Sequence, residues 1–378
     1  MDFDWSEDAR TTFDLAEKIL RGEVSEASLR EIDKEQSFFH ARAWKLLGEA
    51  GLLGVAIEEA HGGMGGGVAE LCALLRAVGR HVAPIPALSC LALGALPIAR
   101  FGDARQKARL LPRVALGTGF VSGAFEEQPG EARRAPVARA TEQRSGLRVT
   151  GTKLCVPLAD RAERIVTPVG IDGEGVALLL VDPKLRGVSL ERSVETHGEP
   201  VFRMELCEVE VAAEDVLVRG ASAHEALAFM HNAALAAACA AQLGVSERAL
   251  ELTARYTSER KQFGVPIGSF QAVRQRAADA YIDVQAIRLS LQQAVFLLDQ
   301  GRDASLACSV AKFHACEAGY RVAFAAQHLH GGIGYDVDYP LHRHYLWSKA
   351  LELTLGPAPE QLSRIGEILA QRSVRIGE

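Results

Sequence analysis

The hydrophobic period of this chain changes twice, and those changes limit what it can fold into. Through about residue 118 apolar residues recur at helical intervals, as at Trp44, Leu47 and Leu52-Leu53, with Gly48, Gly51 and Gly54 as punctuation. From about 119 to 220 the period is two. Phe202, Met204 and Leu206 alternate with Arg203 and Glu205, the pattern of a half-buried strand. Gly175 to Val181 reads as a strand stopped at Asp182-Pro183, and Gly146 to Gly151 as a shorter one. Beyond about 221 the helical period returns. Ala233 to Ala241 is dense in alanine, which favours helix and lets another helix come close. Val284, Ile287, Leu291, Ala294 and Leu298 mark one face of a long helix. The order predicts an α+β multidomain protein: an N-terminal all-α domain over 1–118, a middle antiparallel β-barrel or sandwich over 119–220, and a C-terminal four-helix bundle over 221–378.

Composition removes several function classes. A net charge of -6 gives no general affinity for nucleic acid or anionic lipid. No apolar run reads as a membrane span, and the acidic start Met1-Asp2-Phe3-Asp4 is not that of a secretory signal. The 7 cysteines form no CxxC pair and never cluster with histidine at ligand spacing. Free thiols in a cytoplasmic protein, with no metal site, are the expectation. The stretch His61 to Gly67 carries too many glycines for a helix and reads as a loop. It lacks the Lys-Ser/Thr ending of a phosphate loop.

Two motifs narrow the reading. Tyr256-Thr257-Ser258-Glu259-Arg260-Lys261-Gln262-Phe263-Gly264 is followed by Pro266-Ile267 and Phe270-Gln271; later comes Ala326-Gln327-His328-Leu329-His330-Gly331-Gly332-Ile333-Gly334-Tyr335, then Tyr339-Pro340. Together with the three-part layout they resemble the acyl-CoA dehydrogenase family along nearly the whole chain. The resemblance implies FAD as cofactor, an acyl-CoA thioester as substrate, an electron-transfer acceptor, and assembly as a homo-oligomer or with a second dehydrogenase subunit. It implies that Arg260 touches the FAD pyrophosphate of a neighbouring subunit. Phe263, Gln271, His328, Gly331 and Gly332 are the further cofactor contacts it implies. Read by spacing alone, Arg260 is a surface arginine beside Glu259 and Phe263 a core side chain. An arginine fork suits a pyrophosphate, and a Gly-Gly turn lets backbone approach a ligand closely.

The chain departs from the family pattern where the chemistry lies. α,β-Dehydrogenation needs a base for the α-proton. Ungapped alignment from Gly331-Gly332 puts Leu355 at the usual glutamate, followed by Gly356. The family's other base position falls on Ala234, beside Leu235, with His231 and Asn232 the nearest polar residues. No catalytic residue is therefore assigned, though Glu352 and Glu360 flank Leu355. The flavin-facing segments of the β domain read Glu126-Glu127-Gln128 and Cys155-Val156-Pro157, without the family's hydroxyl and aromatic shield. Three expectations follow: an acyl-CoA dehydrogenase with an unidentified base, a non-catalytic subunit of a heteromeric dehydrogenase, or a flavin oxidase or monooxygenase on the same fold.

Overall fold

The computed structural model describes residues 4–127, 136–173 and 175–376. In chain order the helices α1 (Glu7–Glu23), α2 (Glu26–Glu35), α3 (Ala41–Glu49) and α4 (Val68–His81) precede a π-helical segment, Leu88–Ala95, which runs into α5 (Leu96–Phe101); α6 (Ala104–Ala115) follows. The strands are β1 (Val121–Gly123), β2 (Arg139–Gln143), β3 (Gly146–Pro157), β4 (Arg164–Ile171), β5 (Gly175–Val181), β6 (Val188–Val194), β7 (Pro200–Ala212) and β8 (Val216–Arg219). Then come α7 (Ala221–Glu259), a small hairpin β9 (Lys261–Gln262) and β10 (Val265–Pro266), α8 (Gln271–Asp299), α9 (Ser305–His330), α10 (Leu341–Leu353) and α11 (Ala358–Ile376). The order is helical, then β, then helical. Two compact units emerge: one of Gln36–Leu71 and Pro84–Ala234, the other of Met1–Glu35, Cys72–Ala83 and Leu235–Glu378.

The first unit is built on an 8-stranded sheet ordered β6-β7-β3-β2-β4-β5-β8, with β1 against β4. Most neighbours are antiparallel, as expected. β4 differs, taking β1 and β2 as parallel partners. β7 keeps the alternation read from its sequence, with Phe202, Met204 and Leu206 buried and Arg203 and Glu205 exposed. β5 is buried along Val176–Val181 and ends at Asp182, whose carboxylate accepts from the Lys184 amide (2.9 Å). β3 runs past the expected stop at Gly151. That glycine sits at φ 155, and register shifts against β7 let the strand bend and continue to Pro157. The glycine-rich stretch is a closed turn. The Met64, Gly65 and Gly66 amides donate to the carbonyls of Gly54, Ile57 and Val55 at 2.8–2.9 Å, so these three are spent within the chain rather than offered to a phosphate.

In the second unit α4 and α7 approach to backbone contact. A Cβ on Gly79 would lie 2.0 Å from the Ala241 carbonyl, and one on Gly244 would lie 2.0 Å from that of Arg76. This is the close packing expected of the alanine-rich segment. All five residues of the predicted α8 face, Val284 to Leu298, are buried. Among the described residues one helix, α7, is long and apolar enough to cross a membrane, although the sequence suggested no such run. Its most apolar window is 78% buried, the condition of a core helix.

Candidate functional site

Arg260 and Phe263 lie on the turn that joins α7 to α8, and Gln271 begins α8. The turn is shaped by the β9–β10 pair and closed by the Ile267 amide donating to the Arg260 carbonyl (2.8 Å). Arg260 is exposed. Among the described residues its guanidinium makes no hydrogen bond or ion pair, and Glu259 is engaged by Arg255 instead (3.0 Å). Phe263 is 93% exposed and sits at φ 54, in the left-handed region that penalises a side chain. Its ring makes an edge contact with Phe270, centroids 6.3 Å apart. A bulky apolar group held outward in a strained backbone is costly for a free chain, and a ligand or second chain covering it offsets that cost. An available arginine fork beside an aromatic face suits a pyrophosphate-bearing dinucleotide.

The glycine turn follows α9. Gly331 takes φ 64, and a Cβ on either Gly331 or Gly332 would meet open space. His328 is exposed on the last turn of α9. It is Gln327, one residue earlier and buried, that holds the turn. With its amide oriented to satisfy both partners, Gln327 donates to the Gly334 carbonyl (3.0 Å) and accepts from the Tyr335 amide (3.2 Å). Tyr256 stacks on His330, centroids 4.5 Å apart, so one residue of each motif is in ring contact with the other. Sequence spacing did not single out Gln327, Tyr256 or His330 for these roles. The first motif run contains Tyr256 and the second contains Gln327 and His330, which was the available signal.

The turn between α10 and α11 holds Leu355, buried at φ 60, and Gly356 at φ 93. It is braced from two sides. Lys312 of α9, fully buried, donates to the carbonyls of Leu351 (2.6 Å) and Glu352 (3.2 Å) at the end of α10. Gln361 of α11 donates to the carbonyls of Leu355 and Gly356, each at 3.2 Å. The Glu352 carboxylate pairs with Lys349 (2.7 Å). Glu360 folds back over the turn, where a Cβ on Gly356 would be 2.8 Å from its Cδ. Ala234 and Leu235 are fully buried in α7, and Asn232 is buried, with His231 half-buried.

In the β unit the flavin-facing segments are committed to other work. Glu127 and Lys153 form a buried ion pair (2.6 Å). The same carboxylate accepts from the amides of Val137 (2.6 Å) and Ala138 (2.9 Å), and Lys153 also donates to the Pro168 carbonyl (2.6 Å). Burial pulls the Lys153 ammonium below its ordinary value, and Glu127 opposes that pull. Gln128 lies outside the described residues. Cys155 takes φ 48, and partial burial with Glu126 and Glu195 nearby pushes its thiol up to about 11. The β6–β7 turn brings Glu195 and Glu199 to the two nitrogens of His197, at 3.5 and 3.3 Å. Burial, then Glu199 and Glu126, raise Glu195 to about 7. This wall offers acids, a thiol and a proline where a flavin ring needs an amide donor, a hydroxyl and an aromatic shield. The helical unit's surface fits the dinucleotide half of FAD; the β wall does not fit its ring.

Comparisons with known proteins agree on the family. Residues 6–118 match "Acyl-CoA dehydrogenase, N-terminal domain" and residues 224–370 match "Acyl-CoA dehydrogenase, C-terminal domain". The acyl-CoA dehydrogenase FadE27 of Mycobacterium tuberculosis is 36% identical over 98% of this chain and 99% of its own. Among solved structures, the ChsE4-ChsE5 complex of Mycobacterium tuberculosis superposes with a TM-score of 0.92 at 36% identity, covering 98% of this chain and 99% of that one. The Tcur3481-Tcur3483 steroid ACAD, in a variant form, superposes at 0.89 with 39% identity, covering 97% of this chain and 99% of that one.

Proposed function

Because the chain belongs to the acyl-CoA dehydrogenase family, whose cofactor is FAD, we propose that it serves as one subunit of a heteromeric acyl-CoA dehydrogenase, completing a neighbouring chain's FAD site without supplying a base. The observation that carries this reading is the Arg260–Phe263 turn, a pyrophosphate-binding fork and an aromatic face turned outward in a strained backbone. FAD, when bound, would supply the acceptor for a hydride from the β-carbon of the thioester. Arg260 binds the pyrophosphate, Phe263 and Gln271 cover the dinucleotide, and the Gly331-Gly332 turn admits it closely. The α-proton must go to a carboxylate within hydrogen-bond reach. Leu355 and Ala234 offer none, so the partner chain supplies it. The relatives described as a two-component complex and as a steroid ACAD support this arrangement. They favour a bulky, steroid-derived acyl-CoA as substrate.

In this reading the domains run 1–118, 119–220 and 221–378, electrons leave to an electron-transfer protein, and the assembly is cytoplasmic. The 7 free cysteines, 5 of them buried, suit a reducing compartment.

The test is turnover by the purified chain alone, with a panel of acyl-CoAs and an artificial electron acceptor. Little or none is expected, because loss of a general base costs ~10²- to 10⁴-fold. Robust turnover by the unmodified chain overturns the reading. A second reading rests on the Glu360 carboxylate lying over the Leu355-Gly356 turn, where it would serve as this chain's own base. If so, the chain alone turns over, and Glu360→Gln abolishes that activity.

A further inference from the structure

The stack of Tyr256 on His330 is part of a three-residue cluster. Its ring planes lie 20° from parallel. The Tyr339 ring sits 5.2 Å from His330, and its hydroxyl is 3.1 Å from His330 Nε2. His330 Nδ1 is 2.8 Å from the Ala326 carbonyl. A carbonyl only accepts, so Nδ1 carries the proton, and Nε2 is left to accept from the Tyr339 hydroxyl. Burial lowers the His330 value, in keeping with a neutral ring. The charged groups facing the cluster, Arg255, Glu259 and Arg248, lie on the Tyr339 side.

The two ends of the cluster reach the two halves of the candidate site. The Tyr256 carbonyl accepts from the Arg260 amide (2.8 Å), one helical turn on. His330 is followed directly by Gly331 at φ 64. The aromatic stack therefore ties the arginine turn after α7 to the glycine turn after α9, although about seventy residues separate them in the chain.

We propose that Tyr256, His330 and Tyr339 are positioning residues that hold Arg260 and the Gly331-Gly332 turn at the spacing a dinucleotide pyrophosphate requires. The inference rests on the reading of Arg260 given above. Tyr339 acts through the hydrogen bond to His330 and an edge contact with the Tyr256 ring, centroids 6.5 Å apart, and His330 acts through its stack on Tyr256 and the turn it begins. Their loss shows as weaker dinucleotide binding rather than as a missing contact to it.

The experiment titrates the full-length chain, assembled with its partner dehydrogenase subunit, with FAD, followed by flavin fluorescence. Tyr339→Phe removes one hydroxyl and keeps the ring; it is expected to weaken FAD about three- to tenfold, the scale of one neutral hydrogen bond. Tyr256→Ala is expected to weaken it similarly, and Tyr256→Phe, which keeps the stack, to restore it. Nitrogen-15 NMR should show His330 as the Nδ1–H tautomer, assigned by loss of its signals in His330→Gln. If Arg260→Ala weakens FAD while Tyr339→Phe and Tyr256→Ala bind as the unmodified chain does, the positioning role is wrong and the Arg260 reading stands. An Nε2–H tautomer also overturns it. If Arg260→Ala leaves the FAD affinity of the assembled oligomer unchanged, or that oligomer shows no saturable FAD binding, the underlying reading fails and this inference fails with it.

Discussion

At the scale of single residues, Phe263 separates stability from binding. Its left-handed backbone costs roughly 1–2 kcal/mol for a residue with a side chain, and almost all of its surface faces solvent. Phe263→Gly should leave the chain as stable or up to about 1 kcal/mol more stable in thermal denaturation, while lowering the FAD affinity of the assembled oligomer. A fall in both would mean that Phe263 is part of the chain's own core. Leu355 shows the opposite condition: it is also left-handed, but it is buried and braced by Lys312 and Gln361. Leu355→Glu places a carboxylate in a turn whose backbone is already held. A gain of acyl-CoA turnover in that variant would show that the glutamate is the missing part. Neither backbone strain was legible in the sequence, because Phe-Gly and Leu-Gly look like ordinary turn dipeptides until φ is known. The same is true of Gln327, which the structure turns inward while its neighbour His328 faces out.

At the scale of elements, what the sequence disclosed was local and what it hid was long-range. The alternation along β7, the stop of β5 at Asp182 and the apolar face of α8 are periodic, and periodicity survives without knowledge of neighbours. The parallel pairing of β4 with β1 and β2, and the Glu127–Lys153 pair between residues 26 apart, leave no local trace. Gly79 is a case between the two. The alanine run announced a close helix contact, but only the structure shows that the contact is backbone to backbone at Gly79. Gly79→Ala puts a methyl 2.0 Å from the Ala241 carbonyl. It should cost about 1–3 kcal/mol as an overpacking substitution, read as a lower denaturant midpoint. Lys153→Met should cost more, about 3–5 kcal/mol, by leaving Glu127 buried without its counter-ion. The double variant Lys153→Met with Glu127→Gln should recover part of that loss.

At the scale of the whole molecule, one carboxylate in each unit is shifted in the opposite direction from the other. Glu195, in the β unit, has its pKa raised from 4.5 to about 7, so the folded state keeps its proton longer than the unfolded state does. Stability there falls as pH rises from 4.5 to 7. Glu17, in the helical unit, is raised by burial but lowered more by His81, Arg21 and Arg80, to about 2. Its contribution is present above pH 4.5 and is lost as pH falls toward 2. Hydrogen exchange, corrected for intrinsic rates, should find the β6–β7 turn better protected at pH 5 than at pH 8, and Glu195→Gln should remove that difference. Equal protection of the turn at both values would mean that Glu195 titrates normally.

The buried Glu127–Lys153 pair also bears on how such a chain changes over evolutionary time. Its carboxylate accepts two backbone amides and an ammonium, and its ammonium holds a strand carbonyl, so neither partner drifts alone. Either single replacement passes through a form weaker by about 3–5 kcal/mol, a large share of the ~5–15 kcal/mol that keeps an ordinary domain folded. The pair itself is therefore entrenched. Changing the pair takes two coordinated substitutions, and the first is the one selection removes.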